Sequence, residues 1–203
     1  MRMIEFLVEE PSAEAALHVL ARKIVNGRAR IKIINFGSKY ALLQKLEDRL
    51  RGYARRLAAG DDLRIVVLVD RDADDCTKLK QTLEEAAKRA GLITKSAAAA
   101  GSSFTVVTRI AVEELESWFL GDPEALRATF SRLPQINNKA APFRNPENGG
   151  SWEALHRFLK RYGYYQGSYP KIEAARRIAE NMTPSANRAP SFSVFWQGIE
   201  TFL

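Results

Sequence analysis

At 203 residues and 46% hydrophobic, the chain can bury one substantial core, and no run approaches the roughly 20 apolar residues of a membrane span. Its one cysteine, Cys76, excludes an intrachain disulfide, and Glu5, Glu9 and Glu10 make the first residues unlike a cleavable signal peptide; a reducing, cytoplasmic setting with no membrane is expected. The net charge of +7 is uneven, with 20 Lys/Arg against 19 Asp/Glu in residues 1–124 and 11 against 5 in residues 125–203, which suits either a polyanion partner or a plainly basic surface.

In chain order, Ile4-Glu5-Phe6-Leu7-Val8 reads as a buried strand that ends on Glu9-Glu10. Pro11-Ser12 then opens a helix with Leu17, Leu20 and Ile24 at helical spacing, and Ser12 is the expected N-cap. A short strand at Ile31–Ile34 precedes an amphipathic helix with Leu43, Leu46, Leu50 and Leu57 on its apolar face. Gly60-Asp61 ends that helix, and the strand Ile65–Val69 runs into Asp70-Arg71-Asp72. A third helix over about 77–90 and an Ala/Gly/Ser stretch at 96–103, read as a mobile loop, lead to a strand at Phe104–Ile110. That strand is followed by Glu113-Glu114-Leu115-Glu116.

This β-α-β-α-β-α-β order predicts an α/β fold with a mostly parallel sheet flanked by helices. Beyond Gly121 the signals become helical. Asp122-Pro123 opens one helix, a Pro/Asn-rich loop covers 134–150, and further helices are expected from Ser151 to Tyr162, from Pro170-Lys171 to Asn181 and over Phe192–Leu203. The expected organisation is an α/β core at 1–122 and a basic helical appendage at 123–203 packed on the same body.

In parallel sheets ligand chemistry collects beyond the carboxyl ends of the strands, and here three strands deliver acids to that edge. At an effective dielectric near 20, two like charges about 4 Å apart cost roughly 4 kcal/mol. Such a cluster suggests a hard cation such as Mg²⁺, which oxygen ligands satisfy. In an extended chain Asp70 and Asp72 share a face, and Asp74 joins them; Glu114 and Glu116 obey the same rule if extended, while Glu113 and Glu116 are neighbours if helical. The bland alternative is a loop of helix-capping aspartates.

An EF-hand loop from Asp70 fails, because Asp75 and Gln81 stand where Gly and Glu are required. A haloacid-dehalogenase-like phosphatase motif has Asp74 at its Thr position and comes late in the chain. His18 and His156 lack a Ser or Cys partner at a telling spacing and read as structural or surface groups. Cys76 at a helix start can have a lowered pKa, yet nothing pairs with it as a nucleophile. Trp118 and Phe119 read as core. Tyr162, Tyr164, Tyr165 and Tyr169 alternate with Arg157, Lys160, Arg161 and Lys171, a mixture suited to stacking on a nucleic acid strand or to ordinary packing.

Glu9 on the first strand and Asp70-x-Asp72 on a later one resemble the acidic pattern of the Toprim fold, shared by topoisomerases, primases and overcoming-lysogenization-defect nucleases. A closer resemblance is to domain-of-unknown-function family 4276, a Toprim-like bacterial family. It is carried by Phe6-Leu7-Val8-Glu9-Glu10 with Ser12 and Glu14, Val69-Asp70-Arg71-Asp72, Glu114-Leu115-Glu116-Ser117-Trp118 with Gly121-Asp122, Tyr169-Pro170-Lys171, and Ser191-Phe192 with Phe195. One departure stands out: Toprim proteins usually carry Gly after the first-strand Glu, and this chain has Glu10.

The resemblance implies Mg²⁺- or Mn²⁺-dependent phosphodiester cleavage of DNA or RNA. It implies Glu9, Glu14, Asp70 and Asp72 as metal ligands, Glu114 and Glu116 completing a second ion's shell or positioning water, and Lys171 neutralising charge on the phosphate. It also implies a bacterial defence or toxin-like setting with an ABC- or SMC-like ATPase partner. The alternative is a non-catalytic Toprim-like module that serves such a partner; a small-molecule phosphatase is a third reading.

Overall fold

The computed structural model describes residues 1–203. Four strands, β1 (Met3–Val8), β2 (Arg30–Asn35), β3 (Leu63–Asp70) and β4 (Val106–Ala111), form one parallel sheet in the order β2-β1-β3-β4. Helices α1 (Pro11–Val25), α2 (Lys39–Ala58) and α3 (Cys76–Arg89) are the crossovers. The predicted α/β alternation is therefore the observed one. The segment 96–103 carries only turns.

Side-chain alternation explains why both sheet faces are buried. Ile4, Phe6, Val8, Val66, Leu68 and Val107 point to one face, where they meet α1 and the C-terminal helices. Leu7, Ile65, Val67, Val69 and Val106 point to the other, against Leu42, Leu46, Leu50 and Tyr53 of α2 and Leu79 and Leu83 of α3. The apolar stripe of α2 thus runs through Leu42 and Tyr53, while the predicted Leu43 and Leu57 lie at its margins.

After β4 come α4 (Glu116–Leu120), α5 (Pro123–Thr129), α6 (Ser151–Arg161), α7 (Lys171–Asn181) and α8 (Pro190–Glu200), with a 3₁₀ turn at Pro184–Ala186. They share the larger core with α1 and the sheet. Trp118 is its centre, fully buried, with its indole N–H donating to Ser191 Oγ at 2.9 Å and its ring against Phe192 and Phe195 at 5.1 and 4.8 Å. Helix α7 packs along α1, which brings residue 171 beside the end of β1. No helix is long and apolar enough to cross a membrane.

The chain leaves β1 toward β2 on one side and returns to β3 on the other. The strand order reverses between β1 and β3, so a crevice opens beyond their carboxyl ends. Glu9, Glu10 and Asp70 stand at that point.

Candidate active site

The register pairs Val8 with Leu68, so the residues just beyond β1 face the end of β3. The Glu9 carboxylate accepts a hydrogen bond from the backbone N–H of Asp70. Both side chains are buried. Burial is the main reason that the Glu9 carboxyl is pushed up to about 7, with Asp72 and Glu10 adding to the rise and the Asp70 N–H and Lys39 opposing it. Asp70 is raised well above the usual carboxylate range by burial and then by Glu9, Glu116 and Glu10, against one backbone hydrogen bond from Leu115.

The Leu115 N–H that opposes this rise belongs to the segment after β4, which therefore adjoins Asp70. The segment delivers two more acids. Glu116 is fully buried, and neither carboxylate oxygen has a hydrogen-bond partner. Burial lifts its carboxyl to about 7, with Lys171 opposing. Glu114 is raised by burial but held by the N–H of Trp152 and the hydroxyl of Ser151, both at 3.2 Å. Lys171, the first residue of α7, is the cation of the group. Burial works against its charge, but Glu116, Glu10, Glu114 and Asp70 together raise its pKa. The Lys171 ammonium also lies 5.6 Å from the centre of the Trp152 ring.

Glu9, Asp70, Glu114, Glu116 and Lys171 are therefore one electrostatic unit. Asp72 and Glu14 are engaged by other partners, although the Asp72 charge still reaches Glu9. Strand β3 ends at Asp70, and Asp72 has a left-handed backbone (φ 51°), so the extended-chain rule that would align Asp72 with Asp70 does not apply. Asp72 and Asp74 instead grip Lys39 Nζ, at 2.5 and 2.9 Å. Glu14 accepts from the Asn35 amide at 3.1 Å and stands 3.8 Å from His18. Ser12 is inside α1 rather than its cap: the N-cap is Glu10, which accepts from the Ser12 hydroxyl.

One neighbour of the site, Lys39, has no signal in the sequence, and Tyr169, read there as part of a motif, has a place the sequence does not give. Lys39 opens α2, and no local pattern announces its reach to the turn after β3. Tyr169 lies within the electrostatic reach of Glu116, and its buried hydroxyl has no hydrogen-bond partner. The other tyrosines pack: Tyr164 lies against Phe130 at 4.8 Å beneath the Arg132 guanidinium, and Tyr165 meets Tyr169 edge-on. His156 stacks beside Trp152 and Tyr169. Cys76 is exposed at the start of α3.

As they lie, no three His, Cys, Asp or Glu side chains are gathered as donors for one ion. The donor chemistry nevertheless suits a hard divalent cation: all oxygen, mostly buried, with the Glu116 carboxylate unpartnered. A carboxylate without partners in a dry site is stabilised only by a proton or a cation.

Other acids and small residues in the motif strings hold the frame. Asp122 caps α5 through the Ala125 N–H at 3.0 Å and accepts from the Thr183 N–H at 3.0 Å. Gly121 lets the following segment approach closely; a Cβ there would stand 2.5 Å from Asn187 Oδ1 and 2.8 Å from the Ala189 nitrogen. Glu113 binds Arg71 at 2.7 Å and accepts from the Gly150 N–H, so it braces the loop before α6.

The family described as "Domain of unknown function (DUF4276)" matches residues 8–200. Among solved structures the chain resembles the C-terminal region of the OLD protein of Xanthomonas campestris pv. campestris. The TM-score is 0.50 at 11% identity, covering 98% of this chain and 95% of that one. At that identity the likeness concerns the fold. No curated protein matches the chain.

Proposed function

The chain belongs to the DUF4276 family, and from the carboxylate site of this member we propose a metal-dependent phosphodiesterase of Toprim type that hydrolyses DNA or RNA. The carrying observation is the buried group of Glu9, Asp70 and Glu116, whose carboxyls are raised together beside Lys171. Fold likeness to the C-terminal region of an OLD protein supports the reading, as does the +7 net charge.

In this reading Glu9, Asp70 and Glu116 would hold Mg²⁺ or Mn²⁺, with Glu114 beside them, and the ion would supply an activated water and charge stabilisation at the leaving oxygen. Lys171 orients the scissile phosphate and neutralises charge that grows on its non-bridging oxygens. Glu116, buried with neither carboxylate oxygen partnered, is the acid whose charge the ion would satisfy. Glu9, Asp70 and Glu116 are buried, which keeps bulk water from their carboxylates. Asp72 orients the turn through Lys39. A bacterial defence or toxin-like role beside an ATPase partner belongs to the same proposal.

The second reading, a non-catalytic binding module, is favoured by one observation: Asp72 and Asp74 are already neutralised by Lys39. One assay separates the two. Purified protein is offered single- and double-stranded DNA and RNA in EDTA, Mg²⁺ or Mn²⁺, beside Asp70→Asn. Metal-dependent cleavage lost in the variant supports hydrolysis; a folded wild type inert in every metal supports the binding module.

A further inference from the structure

Residues 30–58, which form β2, α2 and the turn between them, hold eight Lys/Arg against two Asp/Glu, so this one stretch carries +6 of the net +7. Helix α2 sorts its charges by side. Glu47 and Arg51, one position after the core residues Leu46 and Leu50, face α3, where Glu47 binds Arg89 at 2.6 Å. Lys45 and Arg49, one position before them, face away from α3, toward the outer edge of β2. Arg30 and Lys32 point to the same sheet face, because Ile34, two residues on, packs with α2. Both are exposed, and the Glu5 carboxylate opposite Lys32 is already held by Arg56 at 2.6 Å and Tyr53 at 2.7 Å. Asp61 is also taken by Arg56, at 2.8 Å. On this face Arg30, Lys32, Lys45, Arg49 and Arg56 therefore outnumber Glu5 and Asp61 by three charges.

The backbone beside these cations is unpaired. Strand β2 is the outermost strand and bonds only to β1. Arg30 N–H donates to the Arg2 carbonyl and Phe36 N–H to the Val8 carbonyl, so Ile31, Ile33 and Asn35 turn their N–H and C=O groups outward. Much of the β4 edge, by contrast, is covered by the chain itself. Val106 exchanges hydrogen bonds with Ile93 and Lys95, Lys80 Nζ donates to the Thr108 carbonyl at 2.9 Å, and Ser191 Oγ accepts from Val112 N–H at 3.3 Å. On the α1 face of the uncovered edge Ile31 and Ile33 stay half-buried. An occupant must thus supply alternating donors and acceptors, apolar groups on one face and negative charge on the other. An extended peptide that alternates acidic and apolar residues supplies all three. A phosphate backbone offers acceptors alone and leaves the outward carbonyls without donors. A second copy of β2 would bring Arg30 and Lys32 against their own like charges.

We propose that the free edge of β2 takes up an extended acidic segment of a partner protein as a fifth strand, with its acidic side chains over Arg30, Lys32 and Arg49 and its apolar ones against Ile31 and Ile33. Cations on an edge strand repel basic strands and further copies of the chain, so they select the charge of the partner while blocking self-association. The surface is separate from the carboxylate site, and the assignment holds whether or not that site hydrolyses phosphodiesters.

The test is fluorescence anisotropy of the full chain with a labelled peptide of about eight residues that alternates Glu and Val, beside a Lys/Val peptide of equal length and an oligo-dT. Expected is saturable binding of the acidic peptide and not of the basic one, weakened about tenfold by Lys32→Glu. Amide hydrogen exchange at Ile31 and Ile33 should slow when the peptide is bound. Two further acidic peptides carry N-methyl groups on alternate residues, in opposite phases. One phase should bind and the other should not, because only one set of peptide amides faces β2. Lys32 is exposed, and circular dichroism verifies that the variant folds; the methylated peptides test strand pairing on the unaltered chain. No saturable binding of the acidic peptide, equal binding of the basic one, equal binding of the two methylated phases, or indifference to Lys32→Glu would overturn the proposal. So would oligo-dT that protects the same amides and displaces the peptide, which would give the surface to nucleic acid. A dimer in analytical ultracentrifugation that the peptide dissociates would give the edge to a second copy and overturn it as well.

Discussion

The carboxylate of Glu9 accepts a hydrogen bond from the backbone N–H of Asp70. The two residues lie 61 positions apart and mark the ends of adjacent strands at the point where the strand order reverses. The Glu9 charge raises the Asp70 carboxyl after burial, whereas the Asp70 N–H lowers Glu9, whose own rise comes chiefly from burial. The contact therefore does two things at once: it fixes the crevice between β1 and β3, and it concentrates negative charge there.

This concentration makes a pH prediction for the metal-free protein. Carboxyls at Glu9 and Glu116 stand at about 7 instead of 4.5. A carboxyl raised on folding favours the folded state while protonated, fully so below its unfolded pKa, and that advantage is lost as pH climbs through the folded value. In EDTA the melting temperature should fall as pH rises from 5 to 8. Glu116→Gln should flatten the fall, since the buried Glu116 term is on the order of 3 kcal/mol. Mg²⁺ should raise the melting temperature more at pH 8 than at pH 5. A rising or flat wild-type profile in scanning calorimetry would refute this.

Lys39 holds Asp72 and Asp74 together. The carboxylates are half exposed, so their loss costs little stability, about 1 kcal/mol or less. Lys39→Met should instead strengthen Mg²⁺ binding in isothermal titration calorimetry, because the Lys39 charge that acts on Glu9 is gone. Unchanged or weaker binding would show that Lys39 does not oppose a cation at the carboxylate group.

Gly121 makes room for Asn187 and Ala189 at distances that no Cβ tolerates. The blocking atoms include backbone, so the segment must shift. Gly121→Ala should destabilise by roughly 1–3 kcal/mol, lowering the melting temperature by several degrees without changing any carboxylate of the site. A neutral effect in thermal denaturation would mean that the loop before α8 relaxes freely.

Much of this arrangement is legible in the chain because strand signals and chemistry coincide. Val and Ile runs that end on Glu9 and Asp70 locate both the sheet and its carboxylate-bearing edge. Glu116 is legible as an acid in a motif, but its complete burial is not, since that depends on α6 and α7 closing over it. Asp72 is misread by alternation because the strand stops at Asp70 and the backbone turns left-handed two residues later. Ser12 is misread as a cap because Pro11, just before it, already occupies the first helical position. Lys39 reaches the turn after β3 across more than thirty positions of sequence, and no local pattern encodes such a contact. Glu10, standing where Toprim proteins usually have Gly, contributes to the fields at Glu9, Asp70, Glu116 and Lys171.

The most direct test compares cleavage rates of Asp70→Asn and Asp72→Asn with wild type, on single-stranded DNA and RNA in Mg²⁺ and Mn²⁺. Asp70 sits inside the carboxylate group, so its loss should lower the rate about 10³-fold or more. Asp72 acts from outside through Lys39, so its loss should cost only about 10–100-fold. Cleavage that persists in Asp70→Asn, or an Asp72→Asn protein that is the more impaired of the two, would contradict the account.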